Sequence, residues 1–410
     1  MPGYAEDDLG KAVRPMSAPA HVMVLASYAP SLLNFRGPLI RDLISVGHRV
    51  SVGAPDISPA LRARLQSIGA EVHDTPLSRT GTGIFADLHY CVSVYRLIKR
   101  ICPDVVLTYT VKPNIWGAFA GKFARVPVVS MVTGLGYAFT DTDTLAWRQR
   151  LVPAIARLLY RFASHCNARV IFQNPDDRDD FLAVGCLTDA SKAGLVDGSG
   201  VDTAHYARRA LPQQPVFLMI ARLLHSKGVR EYAEASLALM QQHSNVRCLL
   251  AGPFDEGPDR ISKVDLDRWV AGGLEYLGAL DDVRPTLADA RVYVLPSYRE
   301  GTPRSVLEAM SMGRPVITTD APGCREAVRD GVEGYLVPVR DSRALAAAMQ
   351  RMLENPQKTE EMAECAFRRA TERYDVHLVN LQMMSLLGLA LPDGGNSQDQ
   401  QQERYDQAAD

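Results

Sequence analysis

RVYVLPSYREGTPRSVLEAMSMGRPVITT, residues 291–319, reads as strand, loop, helix, strand. Val292 to Leu295 is a short β-prone apolar run that Pro296 stops, and Pro315 to Thr319 begins a second one. Between them Thr302 is the expected N-cap and Pro303 the first helical residue, because proline has no N–H to lose there and its φ is already helical. Gly313 closes the helix. A helix start carries free N–H groups and a partial positive charge, so the loop ending in Gly301-Thr302-Pro303 suits an anion such as a diphosphate, a contribution of about 0.3–2 kcal/mol. Two carboxylates flank that seat: Glu300 in the loop and Glu308 further along the helix, neither placed where a core residue would sit. Each alone reads more readily as an ordinary loop or solvated helix-face charge.

Carboxylates beside a phosphate repel it, so as a pair they make sense as acceptors for neutral hydroxyls on either side of the diphosphate, which a nucleotide sugar supplies. The pattern Glu300-Gly301-x-Pro303-x-Ser305-x-Leu307-Glu308-Ala309-Met310 resembles the signature of glycosyltransferase family 4, with both acids, the glycine and the proline at the family spacing. The resemblance implies an α/β GT-B fold, two facing Rossmann-like domains with parallel sheets and a C-terminal helix crossing back to the first. It also implies retaining transfer of a hexose or N-acetylhexosamine from a nucleotide sugar, UDP-linked, with no cofactor and no obligatory metal. Glu300 would contact the transferred sugar and Glu308 the ribose. Gly301, Thr302, Pro303, Arg304 and Ser305 would complete the donor loop.

At 410 residues the chain accommodates two domains of ordinary size, and 47% hydrophobic with 22% charged residues describes a soluble globular protein. A net charge of -2 gives no reason to expect nucleic acid. The seven cysteines are scattered without a CxxC pair, which argues for reduced thiols and against a zinc site. The start, Met1 to Ala20, lacks the apolar run of a secretion signal, and no window reaches the roughly 18 apolar residues of a membrane span. The expected compartment is the cytoplasm, at the inner face of the membrane.

From His21 onward strand and helix signals alternate, and the buried strands are Val-rich runs, which implies parallel sheets covered by helices. The alternation pauses at Gly198-Ser199-Gly200 and begins again at Val216 to Ile220. The expected division is a disordered tail over 1–18, a first Rossmann-like domain over 19–200 and a second over 201–375, then a crossover helix over 376–391 and a disordered tail over 392–410. By the resemblance the first domain binds the acceptor and the second the nucleotide sugar.

Loops at strand C-termini are where an α/β sheet binds ligands. Three in the first half are polar, basic and glycine-bearing: Asn34 to Gly37, Tyr109 to Asn114 and Thr133 to Tyr137. Turn chemistry and helix capping account for each equally well. Similar loops recur in family members acting on polyprenyl-diphosphate-linked sugars, which points to Arg36, Lys112, Asn114, Thr133 and Gly134 as acceptor-binding residues. In the second half, the family binds the donor diphosphate with an arginine and a lysine at the spacing of Arg222 and Lys227, and Leu277 and Gly278 precede the turn that lies against the base. Two departures from the family stand out: the first loop lacks a common glycine pair, and Thr133 or Gly134 stands where many members carry a histidine. No general base is therefore assigned.

Thr144 to Ser164 reads as a long helix with apolar faces and four arginines, Arg148, Arg150, Arg157 and Arg161. It is either an amphipathic core helix or an interfacial helix meeting anionic lipid. Asp141-Thr142-Asp143 allows a metal-dependent transferase of the other main glycosyltransferase fold. A nucleotide-sugar epimerase and a non-catalytic sugar-nucleotide-binding subunit are further alternatives.

Overall fold

The Val-, Ile- and Leu-rich runs become strands. In chain order these are β1 (His21–Leu25), β2 (Arg49–Ala54), β3 (Glu71–Asp74), β4 (Val105–Tyr109), β5 (Val128–Val132), β6 (Arg169–Phe172) and β7 (Ala193–Leu195), then β8 (Val216–Ile220), β9 (Arg247–Ala251), β10 (Glu275–Tyr276), β11 (Val292–Leu295), β12 (Val316–Thr319) and β13 (Gly334–Val337). Strands β1, β4, β5, β11 and β12 are buried along their whole length, which is why their sequences do not alternate. The computed structural model describes residues 16, 19–77, 83–135 and 147–390, apart from the side chains of 84 and 147–153. The rest of both expected tails, Gly136-Tyr137, Asp141-Thr142-Asp143 and the first turn of the long helix lie outside the described residues.

Two sheets form, with strand orders β3-β2-β1-β4-β5-β6-β7 and β10-β9-β8-β11-β12-β13. The second is parallel throughout, as are β3-β2-β1-β4 and β6-β7 of the first. In each sheet the order reverses beside its first strand, between β1 and β4 and between β8 and β11. Such a reversal opens a crevice at the strand C-termini, because the two connections leave toward opposite faces.

The chain divides into two compact units: one of Met1–Ser130, Cys166–Arg169 and Asn380–Asp410, the other of Met131–His165 and Val170–Val379. The first packs Met23, Leu25, Tyr90, Val94, Ile98 and Val106 into its core. It also pairs Met16 with Leu389, so one residue of the expected N-terminal tail is held in structure. The last helix among the described residues is Val376–Leu386, shorter than expected, and the chain re-enters the first unit within it, where Asn380 donates to Asp42 at 2.6 Å.

The second unit is built on Phe217, Leu249, Trp269, Tyr293, Leu307, Met310 and Ile317. Its helix Arg304–Ser311 is buried nearly all round, with Gly313 beyond its end at φ +79° as the sequence predicts. The fully buried Arg314 guanidinium fixes that end by donating to the carbonyls of Ala290 at 2.8 Å and Ala210 at 2.9 Å. Burial, together with repulsion from the neighbouring Arg208 and Arg291 cations, lowers its pKa to about 10.

Candidate active site

The reversal between β8 and β11 brings together the loops after Ile220 and after Leu295, 73 residues apart at the residues that meet. The first loop ends in a short turn, His225–Lys227, closed by Gly228 at φ +73°. A Cβ at Gly228 would lie 2.1 Å from the Pro296 carbonyl oxygen, so only glycine lets the loops approach this closely. The Ser226 N–H donates to Asp259 at 3.1 Å, and the Tyr298 N–H donates back to the Ser226 carbonyl at 2.9 Å. Held from both sides, Lys227 places Nζ 2.5 Å from Glu300 Oε1, and both side chains are largely buried.

Glu300 is tied through its backbone. Its N–H donates to the Pro322 carbonyl at 2.9 Å, and a Cβ at Gly323 would fall 2.1 Å from the Glu300 carbonyl oxygen. Gly301 is equally confined, since a Cβ there would meet Gln173 Oε1 at 2.4 Å and the Thr133 carbonyl oxygen at 2.6 Å. The expected capping is corrected by one residue. Pro303 stays extended at ψ 106° and precedes a helix that starts at Arg304, while the Thr302 hydroxyl donates to the Gln173 carbonyl at 3.1 Å. The tertiary contact takes the hydroxyl that local capping would have used.

Glu308 also departs from expectation. It is 8% exposed, among Val306, Leu307, Ala309 and Met310, and not on a solvated face. Arg304 Nε pairs with its Oε1 at 2.8 Å and Tyr206 hydrogen-bonds it. Burial raises its pKa above the ordinary 4.5, and Arg304 and Tyr206 only partly offset this. A folded-state pKa above the unfolded value contributes stability that is full below 4.5 and lost as pH rises through the folded value. Glu308→Gln is therefore expected to raise Tm at pH 7–8 by roughly 1–3 °C, a gain that fades on acidification. Melting curves of both proteins between pH 4 and pH 8 check this.

The other donor candidates surround these loops. Arg222 is exposed and donates to Asp255 at 2.9 Å. Ser305 hydrogen-bonds Tyr293, and Gly278, at φ +70°, accepts the Gly252 N–H at 2.7 Å beside the partly exposed Leu277. In the following turn Arg284 forks onto Asp282 at 2.8 and 2.9 Å and holds its carboxyl down at about 2.

The acceptor candidates fall into two groups. Thr133 and Gly134 belong to the second unit and lie against Gly301; a Cβ at Gly134, where φ is +121°, would be 3.4 Å from the Gly301 nitrogen. Arg36, Lys112 and Asn114 belong to the first unit and are not the open rim residues the sequence suggests. Asn114 is 1% exposed and accepts from Thr108 Oγ1 at 2.8 Å, because the π-helical turn Pro113–Gly117 tucks it under β4. Lys112 pairs with Asp87 at 2.7 Å, and the buried Arg36 stacks over the Tyr109 ring at 5.1 Å. Sequence reasoning missed Tyr206, Asn174 and Arg299 at the donor loop. Asn174 did carry a signal, as an N-cap residue directly before Pro175.

Residues 37–193 match the glycosyl transferase 4-like domain and residues 214–355 match glycosyl transferases group 1. The chain is 26% identical over 377 residues to the N,N'-diacetylbacillosaminyl-diphospho-undecaprenol alpha-1,3-N-acetylgalactosaminyltransferase of Campylobacter jejuni, covering 88% of this chain and 96% of that one. It is 26% identical to the UDP-Gal:alpha-D-GlcNAc-diphosphoundecaprenol alpha-1,3-galactosyltransferase of Escherichia coli, over 66% of this chain and 72% of that one. In fold it is similar to Anabaena Alr3699/HepE, solved in complex with UDP, with a TM-score of 0.71 at 20% identity over 90% of this chain and 99% of that one. The two domain matches together span most of the chain and Glu300 and Glu308 stand in the second, so the chain belongs to the group 1, family 4-like glycosyltransferases and is a hexosyltransferase of GT-B fold.

Proposed function

We propose that the protein moves a hexose or N-acetylhexosamine from a UDP-linked sugar to a polyprenyl-diphosphate-linked saccharide in surface polysaccharide or glycan assembly. The configuration at the anomeric carbon is retained and no divalent metal is required. The observation that carries this reading is the Lys227–Glu300 pair in the β8–β11 crevice with Glu308 behind it. The incoming diphosphate takes Lys227 from Glu300, which frees the carboxylate to accept from a hydroxyl of the transferred sugar, while Glu308 accepts from the ribose. The bond from the anomeric carbon to the diphosphate oxygen breaks as the acceptor oxygen bonds on the same face. The departing phosphate oxygen takes the acceptor proton. Both curated relatives carry a diphospho-undecaprenol acceptor in their names, which supports the acceptor class.

The test is turnover with a panel of UDP- and GDP-sugars and a polyprenyl-diphosphate saccharide. An α-linked product from an α-linked donor, formed equally in EDTA, is expected. An inverted product, or activity lost in EDTA and restored by Mn²⁺, overturns retention or metal independence respectively. Conversion of the nucleotide sugar without acceptor indicates the epimerase reading, and binding without turnover the non-catalytic one.

An acceptor of this class would be met at an anionic membrane surface. None of the described helices is long and apolar enough to cross a membrane. Helix Trp147–Cys166 leaves Ile155, Leu158 and Phe162 exposed at helical spacing, with Arg157 and Arg161 beside them, which favours an interfacial face over a wholly buried one. In the first unit, helix Ile84–Ile101 does the same with Phe85 (90% exposed), Leu88 and Val92, ahead of Arg96 and Lys99 on the same stripe. Reversing Arg157 and Arg161 to glutamate is expected to weaken binding to phosphatidylglycerol vesicles by about tenfold or more. It should raise KM for a long-chain acceptor and leave a short soluble analogue unaffected. Wild-type protein that fails to sediment with such vesicles at low salt overturns the membrane reading.

A further inference from the structure

We infer that Asn174, Asp177 and Arg299 form a clamp that sets the position of the Glu300 carboxylate, and that all three are positioning residues for transfer. Asn174 caps helix Pro175–Ala183 by accepting the Asp177 N–H at 2.7 Å. That bond turns its amide nitrogen outward. Asn174 Nδ2 then donates to the Gly301 carbonyl at 2.7 Å and leans on the Glu300 carbonyl at 3.3 Å, the two peptide oxygens that follow the catalytic carboxylate. Its remaining contact is with Asp177 Oδ2 at 3.1 Å.

On the other side of Glu300, Arg299 reaches the same anchor. Its Nε and Nη2 donate to Asp177 Oδ1 at 2.9 and 2.5 Å, and Nη2 also meets Asp180 at 2.6 Å. The Asp177 side chain is wholly buried, so leaving it unpartnered would be costly, and its partners are Arg299 and Asn174. The chain is thus gripped at the side chain before Glu300 and at the two carbonyls after it, while its own N–H is bonded to Pro322. Only side-chain torsions remain to Glu300, and one carboxylate oxygen is already met by Lys227. No hydrogen bond or ion pair joins the three clamp residues to Lys227, Arg222 or Glu308, so the clamp acts on Glu300 through the backbone and not on the donor's charged contacts.

This inference rests on the reading that Glu300 contacts the transferred sugar. The test is a double-mutant cycle. Asn174→Ala, and separately Arg299→Lys, which keeps the charge but loses the fork, should each lower kcat about 10- to 100-fold, with UDP affinity within twofold of wild type. In a Glu300→Gln background the same substitutions should cost less than threefold, because there is no carboxylate left to position. A purely structural role would lower Tm and nucleotide affinity together and give losses that multiply in both backgrounds. Multiplying losses, or single variants within twofold of wild-type kcat, overturn the clamp. Should Asn174→Ala not fold, Arg299→Lys carries the comparison. If Glu300→Gln alone has normal turnover, the assigned role of Glu300 fails instead, and the two failures are distinguishable.

Discussion

Lys227→Ala lowers kcat by about 10²-fold or more while the protein stays folded. Negative charge builds on the leaving diphosphate in the transition state, and removal of one preorganised group that meets such charge typically costs this much. The ligand-free geometry adds a second reason. Lys227 Nζ sits 2.5 Å from Glu300, so its loss also leaves a largely buried carboxylate without that cation just where the diphosphate must enter. Arg222 is exposed and paired with Asp255, so Arg222→Ala should cost less than Lys227→Ala. Lys227→Arg keeps the charge but not the compact head group, and recovers only part of the loss. Steady-state kinetics with a melting curve for each variant decide the matter; a Lys227→Ala enzyme within threefold of wild-type kcat would falsify the assignment.

Glu300→Gln depresses turnover by about 10²- to 10³-fold and leaves UDP affinity nearly unchanged, whereas Glu308→Gln weakens UDP binding. The two acids differ in surroundings. Glu300 is in a loop and faces a cation that the donor can claim, while Glu308 is locked in a helix core between Arg304 and Tyr206. The Glu308 variant should gain stability as it loses affinity, because the charge proposed to accept from the ribose is the one disfavoured by burial. Calorimetric titration with UDP beside single-turnover rates separates the roles. Equal effects of both substitutions on UDP binding would show that the roles were carried over wrongly.

Local pattern was enough for much of the fold. Short Val- and Ile-rich runs between Gly and Pro punctuation marked β1, β8, β11 and β12, because a strand buried on both faces needs an unbroken apolar run. Gly313 marked a helix end because only glycine takes φ +79° without strain. The long helix at Trp147–Cys166 was legible for the same reason, its apolar residues recurring at helical spacing.

What the sequence by itself determined is most of the strands and helices and the spacing of Glu300 and Glu308 about one helix start. These depend on φ/ψ preference and periodicity over a few residues. Tertiary structure alone decided who meets whom. The β8–β11 pairing carried Lys227 to Glu300, the surrounding core buried Glu308, and Asp87 and Thr108 took up Lys112 and Asn114. Thr302 lost its capping role to a contact with Gln173, and Arg299 found Asp177 across 122 residues. Such partners follow from sheet order and from the need to satisfy each buried polar group, and neither is written in the neighbours of a residue along the chain.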